Sequence, residues 1–196
     1  GGLRINSNYV GKAAFENNPD KDGKNRPYVK VSYQIPINPK GMPGEQIGKF
    51  IQPLISKWNL QAIGIDTTTG NSSCAEWLTS NTTVKVLWIP FGGAASDDRT
   101  VSPSDDRNCK DAYYNRAAEL AFSVANNIEL IHGLDQDTCI ELCSRYWEPV
   151  GEKPTRQRLE SKEDYRLRMR KSPDDADCTA IGFEVFRRLG GLDLKR

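Results

Sequence analysis

Ser172-Pro173-Asp174-Asp175-Ala176-Asp177-Cys178-Thr179-Ala180-Ile181-Gly182-Phe183-Glu184-Val185-Phe186 is the stretch from which the rest of the chain can be read. Ser172 is a good cap, Pro173 suits a first helical turn, and the acids behind it favour the positive end of a helix dipole. A helix is therefore predicted to start here. Asp174 and Asp177, three apart, fall on one of its faces, while Ala176, Ala180, Phe183 and Val185 or Phe186 supply apolar contacts. Two carboxylates are thereby presented at the edge of a packed core. Taken alone they could simply cap the helix, because acidic first turns are common.

The segment just upstream changes that balance. From Lys153 to Lys171 basic residues outweigh acids, with Lys162, Arg166, Arg168, Arg170 and Lys171 nearest the helix start. Such a run usually means a solvated face. Here it abuts paired carboxylates, which favours contact with a phosphate backbone.

A further acid stands in the middle of the chain. Apolar residues at Ile47, Phe50, Ile51, Leu54, Ile55 and Trp58 have helical spacing. They lead into Leu60-Gln61-Ala62-Ile63-Gly64-Ile65, a short apolar run that ends in Asp66 and a Thr-Gly-Ser loop. That pattern predicts a buried parallel strand, and ligands in open α/β sheets gather at the carboxyl ends of strands. Asp66 could also be a turn or cap residue, although Ser72 or Ser73 could cap the helix from Cys74 instead.

Around these elements, Leu3–Asn6, Tyr9–Phe15 and Tyr28–Ile37 read as strands about a turn at Asn17–Asn25, giving an antiparallel pair. Thr83–Phe91 reads as another strand, closed by Gly92-Gly93. The segment from Ala94 to Asn108, rich in Ser, Asp, Arg and Pro, reads as a loop. A helix is predicted from Lys110 through Val124, and a second from Asp137 to Trp147, ended by Pro149 and Gly151. The whole predicts one α/β domain over residues 1–196, a mixed β-sheet with helices on both faces.

Composition narrows the function. The 196 residues are 37% hydrophobic, enough for one sizeable core, and Lys plus Arg (27) balance Asp plus Glu (26), so any basic footprint is local. Five cysteines without C-x-x-C spacing argue against a disulfide framework or zinc site. One histidine, His132, excludes mechanisms that need several. There is no apolar run of membrane-spanning length, no signal peptide and no P-loop, so an intracellular soluble protein without its own ATP site is expected. If Asp66, Asp174 and Asp177 meet, their repulsion calls for cations between them. Oxygen ligands select Mg²⁺ or Mn²⁺, and two such ions ~3.5–4 Å apart support phosphodiester hydrolysis.

Four segments, in order, carry a resemblance. They are Ile63-Gly64-Ile65-Asp66 with its Gly70 loop and the Cys74-Ala75-Glu76-Trp77-Leu78 helix; Asn115-Arg116-Ala117-Ala118-Glu119; Leu159-Glu160-Ser161-Lys162-Glu163-Asp164; and Ser172-Pro173-Asp174-Asp175-Ala176-Asp177. Together they resemble the nuclease domain of the large terminase subunit, the DNA-packaging motor protein of tailed bacteriophages, which has a ribonuclease H-like fold. The resemblance implies a metal-dependent endonuclease that cuts concatemeric double-stranded DNA at the start and end of packaging. It places Asp66, Asp174 and Asp177 at metal-binding positions and Lys162 near a phosphate. It also implies an ATPase domain in the full protein, a small terminase subunit and a portal ring as partners, and the host cell cytoplasm as location.

One departure stands out. The family carries a further catalytic aspartate at the end of its first strand, where the best-matching residue here is Asn6, in Leu3-Arg4-Ile5-Asn6. Either asparagine replaces that acid, or the acid lies upstream of this sequence, or Asp20, Asp22 or Glu16 takes its place. With Asn6 in that role, weak metal binding and slow cleavage are expected. Two rivals follow: another ribonuclease H-like nuclease of resolvase or transposase type, or a catalytically silent DNA-clamping or portal-docking module.

Overall fold

The computed structural model describes residues 13–19 and 25–31 by their backbone, and residues 42–68, 72–102 and 104–190 with side chains. Strands β1 (Ala13–Pro19) and β2 (Asn25–Val31) form the expected antiparallel pair, in register from Ala13↔Val31 to Pro19↔Asn25. The pairing carries strand structure through Asn17 and Asn18, which composition assigns to the turn. The sequence before Ala13 and from residue 32 to residue 41, including Leu3–Asn6 and the rest of the strand predicted over Tyr28–Ile37, lies outside the described residues.

Helix α1 (Gly44–Lys57) follows, then β3 (Ala62–Ile65), α2 (Ser72–Asn81) and β4 (Lys85–Trp88). β3 and β4 pair in parallel, Ala62 with Lys85 through Ile65 with Trp88. Side chains alternate across a strand, and this sheet has a core on each face. On one side Ile63, Ile65 and Val86 pack with Ile47, Ile51, Ala75 and Leu78 of α1 and α2. On the other, Leu87 and Ile89 pack with Leu120, Val124, Ile181 and Phe183 of later helices. Gly64 is the point of closest approach. A Cβ there would stand 2.6 Å from side-chain carbons of both Ile181 and Val185, so the absent side chain lets the last helix lie on the strand.

The segment predicted as a loop contains a hairpin, β5 (Thr100–Ser102) with β6 (Asp105–Asn108). Arg99, at its base, reaches inward to Glu119 (3.0 Å), Glu184 (3.3 Å) and Ser123 (3.0 Å), an ordering that composition does not reveal. The next predicted helix is broken into α3 (Cys109–Ala112) and α4 (Arg116–Ala125). Asn115 causes the restart, because its side chain accepts the Ala118 N–H at 2.9 Å, and Tyr114 N–H is drawn away to Gln157 O.

After a short 3-10 turn come β7 (Ile131–His132), parallel to β2, and α5 (Gln136–Ser144). α5 stops earlier than expected. Trp147 and Pro149 lie in a strand, β8 (Trp147–Val150), antiparallel to β9 (Arg156–Leu159). Proline lacks an N–H and is tolerated on such an edge strand. Helices α6 (Lys162–Met169) and α7 (Asp174–Arg188) close the description. α7 begins within a residue of its predicted start, with Pro173 at the cap position and no side-chain cap of its own, so Ser172 does not perform that task.

Candidate functional site

Asp66 follows the last residue of β3, and the ladder continues beside it through Ile89 N–H to Ile65 O at 2.9 Å. It is buried, and its Oδ1 accepts the N–H (2.9 Å) and hydroxyl (2.6 Å) of Thr68. The same hydroxyl accepts from Phe91 N–H at 2.7 Å and Gly92 N–H at 3.1 Å. One threonine therefore ties Asp66 to the segment that leaves β4.

The start of α7 is held from outside. Glu141 of α5, buried, accepts the N–H groups of Asp175 (2.8 Å) and Ala176 (3.0 Å) through Oε2, and Lys171 pairs with its Oε1 at 3.0 Å. This carboxylate supplies the cap that α7 lacks and sits at the positive end of the helix dipole. Asp175 lies beside it. Burial raises the Asp175 carboxyl to a pKa of about 6, helped by the charges of Glu141 and Asp135 and opposed by Lys171.

Asp177 is 2% exposed and faces two cations. Lys162, at the start of α6, pairs with Oδ2, and Arg145 donates to Oδ1 at 3.3 Å. Burial raises its pKa, Lys162 and Arg145 pull it down, and the neighbouring charge of Asp174 raises it again. Oδ1 of Asp174 is buried without a hydrogen-bond partner among the described residues. The ammonium of Lys162 lies 5.7 Å from the centroid of the Phe91 ring. A chain of contacts thus runs from Asp177 through Lys162, Phe91 and Thr68 to Asp66, so the strand end and the helix start face the same end of the sheet.

The donor chemistry fits a hard divalent cation. Asp174 offers a buried oxygen with no partner, Asp177 a second carboxylate one turn on, and Asp66 a third at the same end. The number of donors is not reached in this geometry: among the described residues no three His, Cys, Asp or Glu side chains stand together closely enough to hold a metal ion. Asn6, Asp20 and Asp22 lie outside the described residues, and Glu16 is in β1, of whose side chains nothing is described.

The predicted DNA-contacting residues are largely engaged within the chain. Lys162 holds Asp177, Arg166 meets Glu163 at 3.3 Å, Arg168 meets Glu160 at 2.6 Å, and Lys171 holds Glu141. Arg170 ends α6 in the left-handed region (φ 58°). Sequence reasoning missed Arg145 and Glu141. A single arginine between Ser144 and Tyr146, and one glutamate in a polar helix, carry no local mark of what they reach. It also missed why Asn115-Arg116-Ala117-Ala118-Glu119 matters. Arg116 and Glu119 belong to a buried ion network with Glu184 of α7, and the signal available was the lone acid of Phe183-Glu184-Val185-Phe186 inside an apolar stripe.

No protein-family description and no curated protein matches the sequence. Solved structures do. The nuclease domain of the large terminase subunit gp2 of bacterial virus Sf6 superposes with a TM-score of 0.57 at 11% identity, over 79% of this chain and 76% of that one. A lysine-to-alanine variant of the same domain with manganese and beta-thujaplicinol superposes with a TM-score of 0.58, at 11% identity, over 89% and 81%. A form of that variant with calcium gives 0.56 at 11% identity, over 79% and 76%. The likeness is one of fold, and this chain has the ribonuclease H-like α/β fold of that domain.

Proposed function

We propose that this chain is a divalent-metal-dependent DNA endonuclease of the terminase type. The observation that carries the reading is the pair of carboxylates at the start of α7, half-buried Asp174 with one buried oxygen that has no partner among the described residues and buried Asp177 between two cations, at the same end of the sheet as Asp66. A buried carboxyl raised by burial, as Asp177 is, with further acids at the same sheet end is the kind of arrangement that hydrolytic sites use. Asp66, Asp174 and Asp177 would hold Mg²⁺ or Mn²⁺, two ions in the complete site, which when bound activate water and stabilise the leaving oxygen of a phosphodiester.

The chain's own residues do the rest. Thr68 fixes the Asp66 carboxylate through two hydrogen bonds. Arg145 and Lys162 favour the ionised form of Asp177, in opposition to the burial that raises its pKa. The Lys162 side chain is 22% exposed while its ammonium is buried against Asp177, so it would meet an incoming phosphate only by swinging away from that carboxylate. The substrate is concatemeric double-stranded DNA, cut when packaging begins and ends in the host cell cytoplasm. The working motor includes an ATPase domain, a small terminase subunit and a portal ring.

A second reading is favoured by the absence, among the described residues, of three acids close enough to share an ion and by the cations already seated on Asp177: a silent DNA-clamping module of the same motor. Nicking of supercoiled plasmid with Mn²⁺, compared with the same reaction under chelator, separates the two. The nuclease reading expects metal-dependent nicking that rises in Asn6→Asp and vanishes in Asp66→Ala. Binding without nicking in both the natural chain and Asn6→Asp would leave the clamp.

A further inference from the structure

Residues of the β8–β9 hairpin alternate between two faces. Trp147 and Leu159, directly opposed in register, share the face toward the α4 side: Trp147, still 54% exposed, meets the Phe122 ring edge-on at 5.8 Å, and half-buried Leu159 packs on the cluster of Tyr113 and Ala118. The other face, by the same alternation, carries Tyr146, Arg158 and Arg156 outward. This outer face is built as an array of rings and guanidinium groups. Arg156 and Arg158 lie over the Tyr114 ring at 5.4 and 5.7 Å, and Arg168 of α6 lies over the Tyr146 ring at 3.9 Å. Tyr114 remains 45% exposed and Tyr146 64%, so each ring keeps an open side.

The array has a direction. Tyr146 follows Arg145, which reaches Asp177, and Arg145 also donates to Glu160 O at 2.9 Å, next to the carboxylate that clamps Arg168. One end of the strip therefore adjoins the acids of α7, and the other runs out along the hairpin to Arg156. Arg158 and Arg168 have carboxylate partners in Glu148 and Glu160, whereas Arg156 is in no ion pair among the described residues.

The geometry points to a strip that holds an unpaired strand of DNA beside the cutting site, an inference that rests on the nuclease reading for its location and not for its chemistry. A duplex offers phosphates to cations and keeps its base faces stacked on one another, so it has no use for two open tyrosine rings. An unpaired strand offers both, phosphates for Arg156 and Arg158 and base faces for Tyr114 and Tyr146, and stacking of this kind is tolerant of sequence. The guanidinium behind each ring holds it in place before the strand arrives, which lowers the ordering cost of binding. The site thus takes a frayed or overhanging end, the form that DNA has next to a staggered cut.

The test is fluorescence anisotropy with a labelled oligothymidine and a blunt duplex of equal length, in chelator so that no cleavage occurs. The natural chain is expected to bind the single strand. Tyr146→Ala and Tyr114→Ala should each weaken that binding by roughly 5- to 100-fold, with little change for the duplex, and Tyr146→Phe should restore it. Asp177→Asn should bind as the natural chain does, so loss of nicking and loss of strand binding are separate results. The inference is overturned if the natural chain fails to bind the single strand, if the tyrosine variants stay within about twofold of it, or if they lose single strand and duplex equally. Both rings are exposed, and circular dichroism confirms that each variant is folded before its affinity is read.

Discussion

The two ends of α7 handle buried charge in opposite ways. At the carboxyl end, Glu184 is 1% exposed and surrounded by arginines: Arg116 at 2.7 Å, Arg187 at 2.7 Å and Arg188 at 2.7 Å, with Arg99 at 3.3 Å and Glu119 completing the network. Burial works to raise its pKa, but the hydrogen bonds and charges of these arginines overcome it and bring the group to about 2. At the amino end, acids outnumber their partners. Asp174 has an unsatisfied oxygen, Asp175 is pushed up to about 6, and Asp177 is raised despite two cations. One end is compensated and structural. The other is left incomplete, as a site that awaits a cation or a phosphate would be.

Breaking the compensated end should have the largest effect. Arg116→Met leaves Glu119 and Glu184 buried with fewer counter-charges and should cost about 3–5 kcal/mol in urea unfolding. A cost under about 1 kcal/mol would mean that Arg99 and Arg187 suffice without it.

The pH dependence sharpens the contrast, because the two ends have opposite signs. Asp175 has a folded pKa above its ordinary value of 3.8, so its contribution is fully present below that value and is lost as pH rises through about 6. Glu184 has a folded pKa below its ordinary 4.5, so its contribution is present above that value and is lost as pH falls towards about 2. Each limb has a ceiling of about 3 kcal/mol. Asp175→Asn should therefore stabilise the protein at pH 7 and flatten the limb between about pH 4 and about pH 6. Glu141→Gln should lower the pKa of Asp175 by removing the nearest negative charge, a shift visible by NMR titration.

A smaller effect separates α6 from α7. Ser161 caps α6 itself, accepting the Asp164 N–H at 3.1 Å, whereas α7 borrows Glu141 from α5. Ser161→Ala should cost about 1 kcal/mol of stability. Strand binding at Tyr146 should be unaffected, since α6 stays docked through buried Tyr165.

The parts legible in the sequence were those with local causes. The spacing of Ile47, Ile51 and Leu54 gives α1, the apolar run ending in Asp66 gives β3, and the proline and acids give the start of α7. The rest depends on distant partners. The hairpin at Thr100–Asn108 has a loop's composition and is ordered through Arg99, which reaches Glu119 and Glu184. The helix predicted through residues 110–124 breaks because Asn115 caps a new one inside an apolar period that looks continuous. For the site, the acids could be named in advance, but not their cations. Arg145 lies 32 residues from Asp177 in the chain, and Glu141 lies 34 from Asp175. Nor could the alternation of β8 be read through Pro149, which marks a helix end in sequence and an edge strand in space.

The most direct test is Asp177→Asn, measured at once for Mn²⁺-dependent plasmid nicking and for stability to urea, in the natural chain and in Asn6→Asp. If the amino end of α7 is held for chemistry, nicking falls by at least about tenfold while stability is unchanged or rises, since a buried carboxyl with a raised pKa is neutralised. Nicking that persists, or a loss of stability in step with the loss of nicking, would make Asp177 a structural partner of Arg145 and Lys162 and contradict the account.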